Sequence, residues 1–324
     1  MRKEARIENN VNIATVQGYH SGGSWGDREA YAFRGYVCNK FFTSDRYIKL
    51  DGNFRKPDGG EIKGYGLEIE TECRGISNQT VLAEVFDKII FPLFPDGLYK
   101  MQNDGSLNGD TSAECITQVM TKAFIRNHYS DFKTMFNKYF PAFGISADSN
   151  NTACGMHVNC STSLFGTTEE KRAEAIRKLC YIINHHYDFC TALFYRNPRR
   201  TTWSGKVARF AHMNSAKVIN LNEQPNDHSL CMNLSHYGAG RIEIRLVGGQ
   251  KNFACFRNTL ESVFFLVDRV KNIKWADCDS LVKIFSGCNQ YVADRINTLC
   301  LERGTISRED AEAIQRAAVR EELI

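Results

Sequence analysis

The sequence predicts an α+β protein. Four strand-like segments far apart in the chain each carry one apolar face, and amphipathic helical segments are interleaved with them. In GYGLEIETEC (64–73), Leu67, Ile69 and Thr71 alternate with Glu68, Glu70 and Glu72. Period-two alternation marks a half-buried strand, so the three carboxylates share a face. In SAECITQV (112–119), Glu114 opposes Ala113 and Cys115. In GMHVNC (155–160), Met156, Val158 and Cys160 point one way, His157 and Asn159 the other. In GRIEIRLVGG (240–249), Ile242, Ile244 and Leu246 alternate with Arg241, Glu243 and Arg245.

Taken in chain order, residues 1–60 are rich in glycine and aromatics without helical period and read as loops and short strands. After the acidic strand a helix is expected near 78–91. The stretch PDGLYKMQNDGSLNGD (95–110) reads as a loop. A strand near 112–119 and a helix near 124–140 follow, then the strand MHVNCS. The segment 167–194 reads as one helix, capped by Thr167 or Thr168, with Glu169 and Glu170 in its first turn. Its apolar residues Ile176, Leu179, Ile183 and Tyr187 recur at helical spacing. Strands are expected near 229–235 and 241–247, a helix over 253–270, and helices to the end, where SRED (307–310) has the form of a helix cap.

A chain of 324 residues with 43% hydrophobic and 24% charged residues is that of an ordinary globular protein. Its 6 prolines and lack of long polar tracts argue against disorder. The densest apolar run, VFFLV at 263–267, is far shorter than a membrane span, and MRKEARIENN lacks a signal peptide's apolar core. A cytoplasmic protein is expected, its 12 scattered cysteines reduced. A net charge of +4 names no partner. Its distribution says more: no Asp or Glu lies between Asp188 and Glu223, while Arg196, Arg199, Arg200, Lys206, Arg209 and Lys217 do. That excess is either an anion site or a solvated basic loop.

If the four loaded strands neighbour one another, Glu68, Glu70, Glu114, His157 and Glu243 converge. Such a set calls for cations, with Mg²⁺ or Mn²⁺ the usual occupant where phosphates complete the shell. Arginines beside Glu243 suit phosphate, which their forks bind bidentately. Each signal alone has a plain reading: a solvated E-x-E face, a structural histidine, or a cross-strand ladder for R-x-E-x-R. Two other chemistries compete. One is a guanidino-kinase-like phosphotransfer to nitrogen. The other is a zinc-stabilised nucleic-acid-binding module on Cys154, His157 and Cys160.

GLEIE (66–70), NDGSL (103–107) followed by AECIT (113–117), GMHVN (155–159) and RIEIR (241–245) together resemble the amidoligase family of glutamine synthetase-like carboxylate–amine ligases. The resemblance covers roughly residues 64–265. It implies a curved, mainly antiparallel sheet forming an active-site funnel, with helices packed on its outer face. It also implies ATP and Mg²⁺ or Mn²⁺ as cofactors, and amide or isopeptide formation through an acyl phosphate. Glu70 and Glu114 would hold one cation, and Glu68, His157 and Glu243 another. Arg245 would steady the transferring phosphoryl group, with Arg199, Arg200 and Arg241 as further phosphate contacts. Asp104 and Ser106 would lie near the entrance, and Glu72 is the candidate base for the amine's proton. Many members carry a second histidine where this chain has Asn159, which is therefore assigned to substrate, and NPRRTTWSG matches the family loosely. On this basis 1–60 is an N-terminal extension, 61–272 the catalytic domain and 273–324 a helical segment packed on it. The partners are small-molecule or peptide carboxylates and amines, without membrane or nucleic acid.

Overall fold

The computed structural model describes residues 12–14, 30–32, 40–50, 56, 58–76, 79–102, 107, 111–149, 153–197, 204–225, 227 and 229–319. The α+β class holds, and the sheet pairing is mainly antiparallel. The chain divides into two compact units: Met1–Asn159 with Gly249–Phe253, and Cys160–Gly248 with Ala254–Ile324.

The first unit is built on strands β1 (Asn12–Ala14), β2 (Ala30–Ala32), β3 (Lys40–Phe42), β4 (Tyr47–Lys49), β5 (Tyr65–Cys73), β6 (Tyr99–Gln102), β7 (Ser112–Thr117), β8 (Val119–Met120), β9 (Ile145–Ser146) and the start of β10 (Met156–Ser161). Their order runs β1-β2-β6-β7-β5-β10, and β8 and β9 extend the pairing of β5 at its two ends. Strand β3 pairs parallel with β8. Strand β6 corrects the sequence reading, which took 95–110 as a loop. Only four residues long and flanked by turn formers, it is too short for its Tyr-Lys-Met-Gln alternation to stand out.

Alternation gives β5 its two faces. Leu67 and Ile69 are buried on one, with Met101 of β6 and Cys115 of β7 in the same register row as Ile69. Tyr99, also on that face of β6, stacks on Phe91 with ring centroids 4.7 Å apart. Phe94 meets Tyr99 edge-on at 4.9 Å. Phe91 and Phe94 come from the turn after α1 (Gln79–Val85) and its wider continuation Phe86–Ile90. The expected helix 124–140 is broken at His128 into α2 (Lys122–Asn127) and α3 (Tyr129–Thr134). There the backbone leaves helical values (φ −100°, ψ 15°), and the imidazole bonds Asp131 at 2.7 Å.

In the second unit, Thr168 caps α4 (Glu169–His185), its hydroxyl accepting from the Lys171 N–H, and the predicted apolar stripe is buried. The expected single helix stops at His186, whose ring bonds the Cys278 carbonyl at 3.0 Å, and resumes as α5 (Tyr187–Leu193). Strands β11 (Met232–Asn233) and β12 (Arg241–Ile244) are shorter than expected and pair antiparallel. Helix α6 (Phe253–Arg269) matches its expected span. Helices α7 (Leu281–Phe285), α8 (Gln290–Glu302) and α9 (Arg308–Arg316) complete the chain, and the Ser307 hydroxyl caps α9 by accepting from the Asp310 N–H. Arg295 of α8 donates to the Ala192 carbonyl of α5 at 2.9 Å and lies over the Tyr195 ring.

Candidate functional site

The polar face of β5 and its neighbours forms two registered rows. Glu70 stands directly opposite Glu114, which stands opposite Gln102; Glu68 stands opposite Ile116, which stands opposite Lys100. Side chains in such rows share a face and lie about 5 Å apart between neighbouring strands. On the other side of β5, the Glu70 N–H donates to the Gly155 carbonyl at 3.2 Å, which sets His157 and Asn159 of β10 beside the carboxylates.

Glu68, Glu70, Glu114 and His157 are brought together, all buried. His157 Nδ1 lies 2.9 Å from Glu68 Oε2, and its Nε2 lies 3.7 Å from Glu70 Oε1. Asn159 Nδ2 donates to Glu68 Oε1 at 2.6 Å, and Gln102 Nε2 donates to Glu114 Oε2 at 2.7 Å. The Gly155 N–H donates to Glu70 Oε2. Glu72, at the end of the row and half-buried, accepts from the Ala153 N–H at 3.0 Å. A glycine keeps this approach rigid. A Cβ on Gly249 would sit against the Ala147 carbonyl and 2.7 Å from the Cys154 carbonyl, so the chain leading into β10 passes where no side chain fits.

One donor atom from each of Glu68, Glu114 and His157 falls within 4.8 Å of the others. This set takes Glu114 from one expected cation group and Glu68 and His157 from the other, because register places Glu114 beside Glu70 and one step from Glu68. The set suits a hard divalent ion: two carboxylates and one imidazole. With its Nδ1 proton donated to Glu68, His157 keeps the Nε2 lone pair for a ligand, the usual division of labour in a metal-binding histidine. Octahedral ligands about 2.1 Å from an ion stand about 3 Å apart when cis and about 4.2 Å when trans. The 3.7 Å from Nε2 to Glu70 lies inside that range and is too long for a hydrogen bond.

In the second unit, Glu243 is buried, with a partner on each carboxylate oxygen. Arg245 Nη1 donates to Glu243 Oε1 at 2.6 Å, and Asn233, its register partner on β11, donates to Glu243 Oε2 at 3.1 Å. Arg241 is buried on the same strand. Several cations of the acid-free stretch are engaged individually. Arg196 donates to the Val247 carbonyl, while Lys206 lies over the Tyr187 ring and Lys217 over Trp275. Arg199, Arg200, Asp104 and Ser106 lie outside the described residues.

The zinc reading is not what the structure brings together. Among the described residues, the metal-competent group is Glu68, Glu114 and His157, not the cysteine set. Pleating puts His157 and Cys160, three positions apart on β10, on opposite faces. Burial pushes the Cys160 thiol well up. Cys115, behind Glu114, is raised for the same reason, with the Glu114 charge adding to it.

Sequence reasoning missed Lys100, Gln102 and Asn233. Lys100 is fully buried on the acid-bearing face, two positions from Gln102. The signal was the alternation Tyr99, Lys100, Met101, Gln102, hidden inside a stretch of turn residues.

No protein-family model and no curated protein matches the chain. Among the solved structures that resemble it are a GmaS–ADP complex in its first conformation, at 15% identity, and apo GmaS without ligand, at 17%. Each aligns with 78% of this chain at a TM-score of 0.41, over 67% and 66% of its own length, so the chain spans about two thirds of those proteins. The likeness is one of fold alone. Among the described residues, no helix is long and apolar enough to cross a membrane.

Proposed function

We propose that the protein is an ATP-dependent carboxylate–amine ligase working at a Mg²⁺ or Mn²⁺ site on the acid face of β5, β7 and β10. The observation that carries this reading is the buried set of Glu68, Glu114 and His157 donors, within 4.8 Å of one another and drawn from three strands. Buried carboxylates repel and lose hydration, so a fold that collects them without an ion pays heavily in stability. When bound, ATP and the divalent ion supply a phosphoryl group that activates a carboxylate for attack by an amine, phosphate leaving as the amide forms.

The chain's own residues hold and orient. His157 and Asn159 fix the Glu68 carboxylate from two sides, Gln102 fixes Glu114, and the Gly155 N–H fixes Glu70. Each ligand is therefore preorganised before anything binds. Glu72, with one oxygen on the Ala153 N–H, is the base that takes the amine's proton. The same reading gives Glu243 a cation and Arg241, Arg245, Arg199 and Arg200 the phosphates, with Asp104 and Ser106 near the entrance. The planar arginine forks suit phosphoryl oxygens.

The test is an ATP-hydrolysis screen against pooled amino acids and polyamines in Mg²⁺ or Mn²⁺, with mass spectrometry of the products. A product lighter than its two substrates by one water supports the ligase. A phosphorylated guanidine or amine would assign a phosphotransferase instead, and no divalent-dependent turnover with any pool would remove the proposal.

A further inference from the structure

Asn159 is fully buried, and one end of its side chain is spoken for: Nδ2 donates to Glu68 Oε1 at 2.6 Å. The other end is not. Among the described residues, Asn159 Oδ1 is buried without a hydrogen-bond partner. Exchanging the two ends would not repair this, because it would set the amide oxygen against a carboxylate oxygen, acceptor to acceptor. Glu68 therefore fixes which way the carboxamide faces and leaves a neutral, hard oxygen without a hydrogen-bond donor among the described residues. Buried acceptors in native proteins are nearly always satisfied, and an exception calls for an explanation such as a bound ion or water.

We propose that Asn159 Oδ1 is a further ligand atom of the divalent cation held by Glu68, Glu114 and His157. This rests on the cation site proposed above and adds a residue to it. Asn159 is two positions from His157 on β10 and so shares its face. The two ends of a carboxamide are about 2.3 Å apart, which keeps Oδ1 within about 5 Å of Glu68 Oε1. That matches the 4.8 Å spread of the other donors. An amide oxygen binds hard ions without adding charge to a site already rich in carboxylates. On this proposal Asn159 helps to set the site's preference for Mg²⁺ or Mn²⁺ over softer ions.

The experiment titrates Mn²⁺ into metal-depleted full-length protein by calorimetry and electron paramagnetic resonance. It compares wild type with Asn159→Leu, which removes both ends, and Asn159→Asp, which keeps an oxygen and removes the donor to Glu68. A liganding oxygen predicts about tenfold or greater weakening in the leucine variant. It also predicts unchanged or tighter binding in the aspartate variant. Equal weakening in both would mean that Asn159 acts only by holding Glu68, and no change in either would mean that it does not act on the ion; each overturns the proposal. If Asn159→Leu does not fold, as judged by circular dichroism, Asn159→Asp decides alone: tighter binding supports the proposal, and unchanged or weaker binding overturns it. Wild-type protein that binds no Mn²⁺ would overturn the cation site itself, a failure visible before any variant is made.

Discussion

Glu70→Gln should make the metal-free protein more stable, a result opposite to that of most buried substitutions. Glu70 faces Glu114 directly across the β5–β7 ladder, and both are buried. Carboxylates about 5 Å apart at an effective dielectric of about 20 repel by about 3 kcal/mol. The glutamine can still accept from the Gly155 N–H, at a loss of about 1 kcal/mol for exchanging a charged acceptor for a neutral one. The balance is a gain of about 2 kcal/mol in EDTA, or about 3 °C in melting temperature for a chain of this size. Saturating Mn²⁺ should reverse the order. At a hundred times its dissociation constant, a ligand stabilises the wild type by about 2.7 kcal/mol, while the variant has lost a charged donor. Differential scanning calorimetry of both proteins, with EDTA and with Mn²⁺, reads all four states. A variant less stable than wild type in EDTA, or one that gains as much from Mn²⁺, would refute the argument that these carboxylates are held together for an ion.

Gly249→Ala should cost about 1–3 kcal/mol by urea denaturation, since the new methyl must displace the Ala147 and Cys154 carbonyls; a neutral effect would mean that the 147–154 segment yields freely. Burial holds the His186 imidazole below its ordinary pKa of 6.5, against the opposing pull of the Cys278 carbonyl. Because the unfolded chain takes up the proton first, the contribution is complete above about pH 6.5 and is lost as the pH falls through the folded value. Wild type should therefore lose more stability than His186→Gln between pH 7.5 and pH 5, and parallel urea midpoints would contradict this. Arg245→Lys should lower amine-dependent phosphate release by about a hundredfold, since an ammonium cannot reproduce the fork. Near-normal turnover would take Arg245 out of phosphate binding.

Strand faces were legible because they are local. Alternation in GLEIE and GMHVN puts Glu68 with Glu70 and His157 with Asn159 whatever the rest of the chain does. Helix beginnings were legible for the same reason: Thr168 and Ser307 cap the helices that follow them. What could not be read was how the strands slide against one another. Only register decides that Glu70 meets Glu114 while Glu68 meets Ile116, and a slip of one residue would turn the acid row to the other face. Strand β6 was hidden because its apolar–polar alternation spans only four residues inside a stretch of turn formers. The breaks at His128 and His186 depend on partners as distant as Cys278.

The amino-acid order alone thus determined which side chains travel together on each strand, since a strand's pleat has a fixed period. Tertiary packing decided which of those sets meet, because hydrogen-bond register and the covering of the apolar face are properties of several segments at once. Among the described residues, it also left the Asn159 amide oxygen, beside Glu68, without a hydrogen bond.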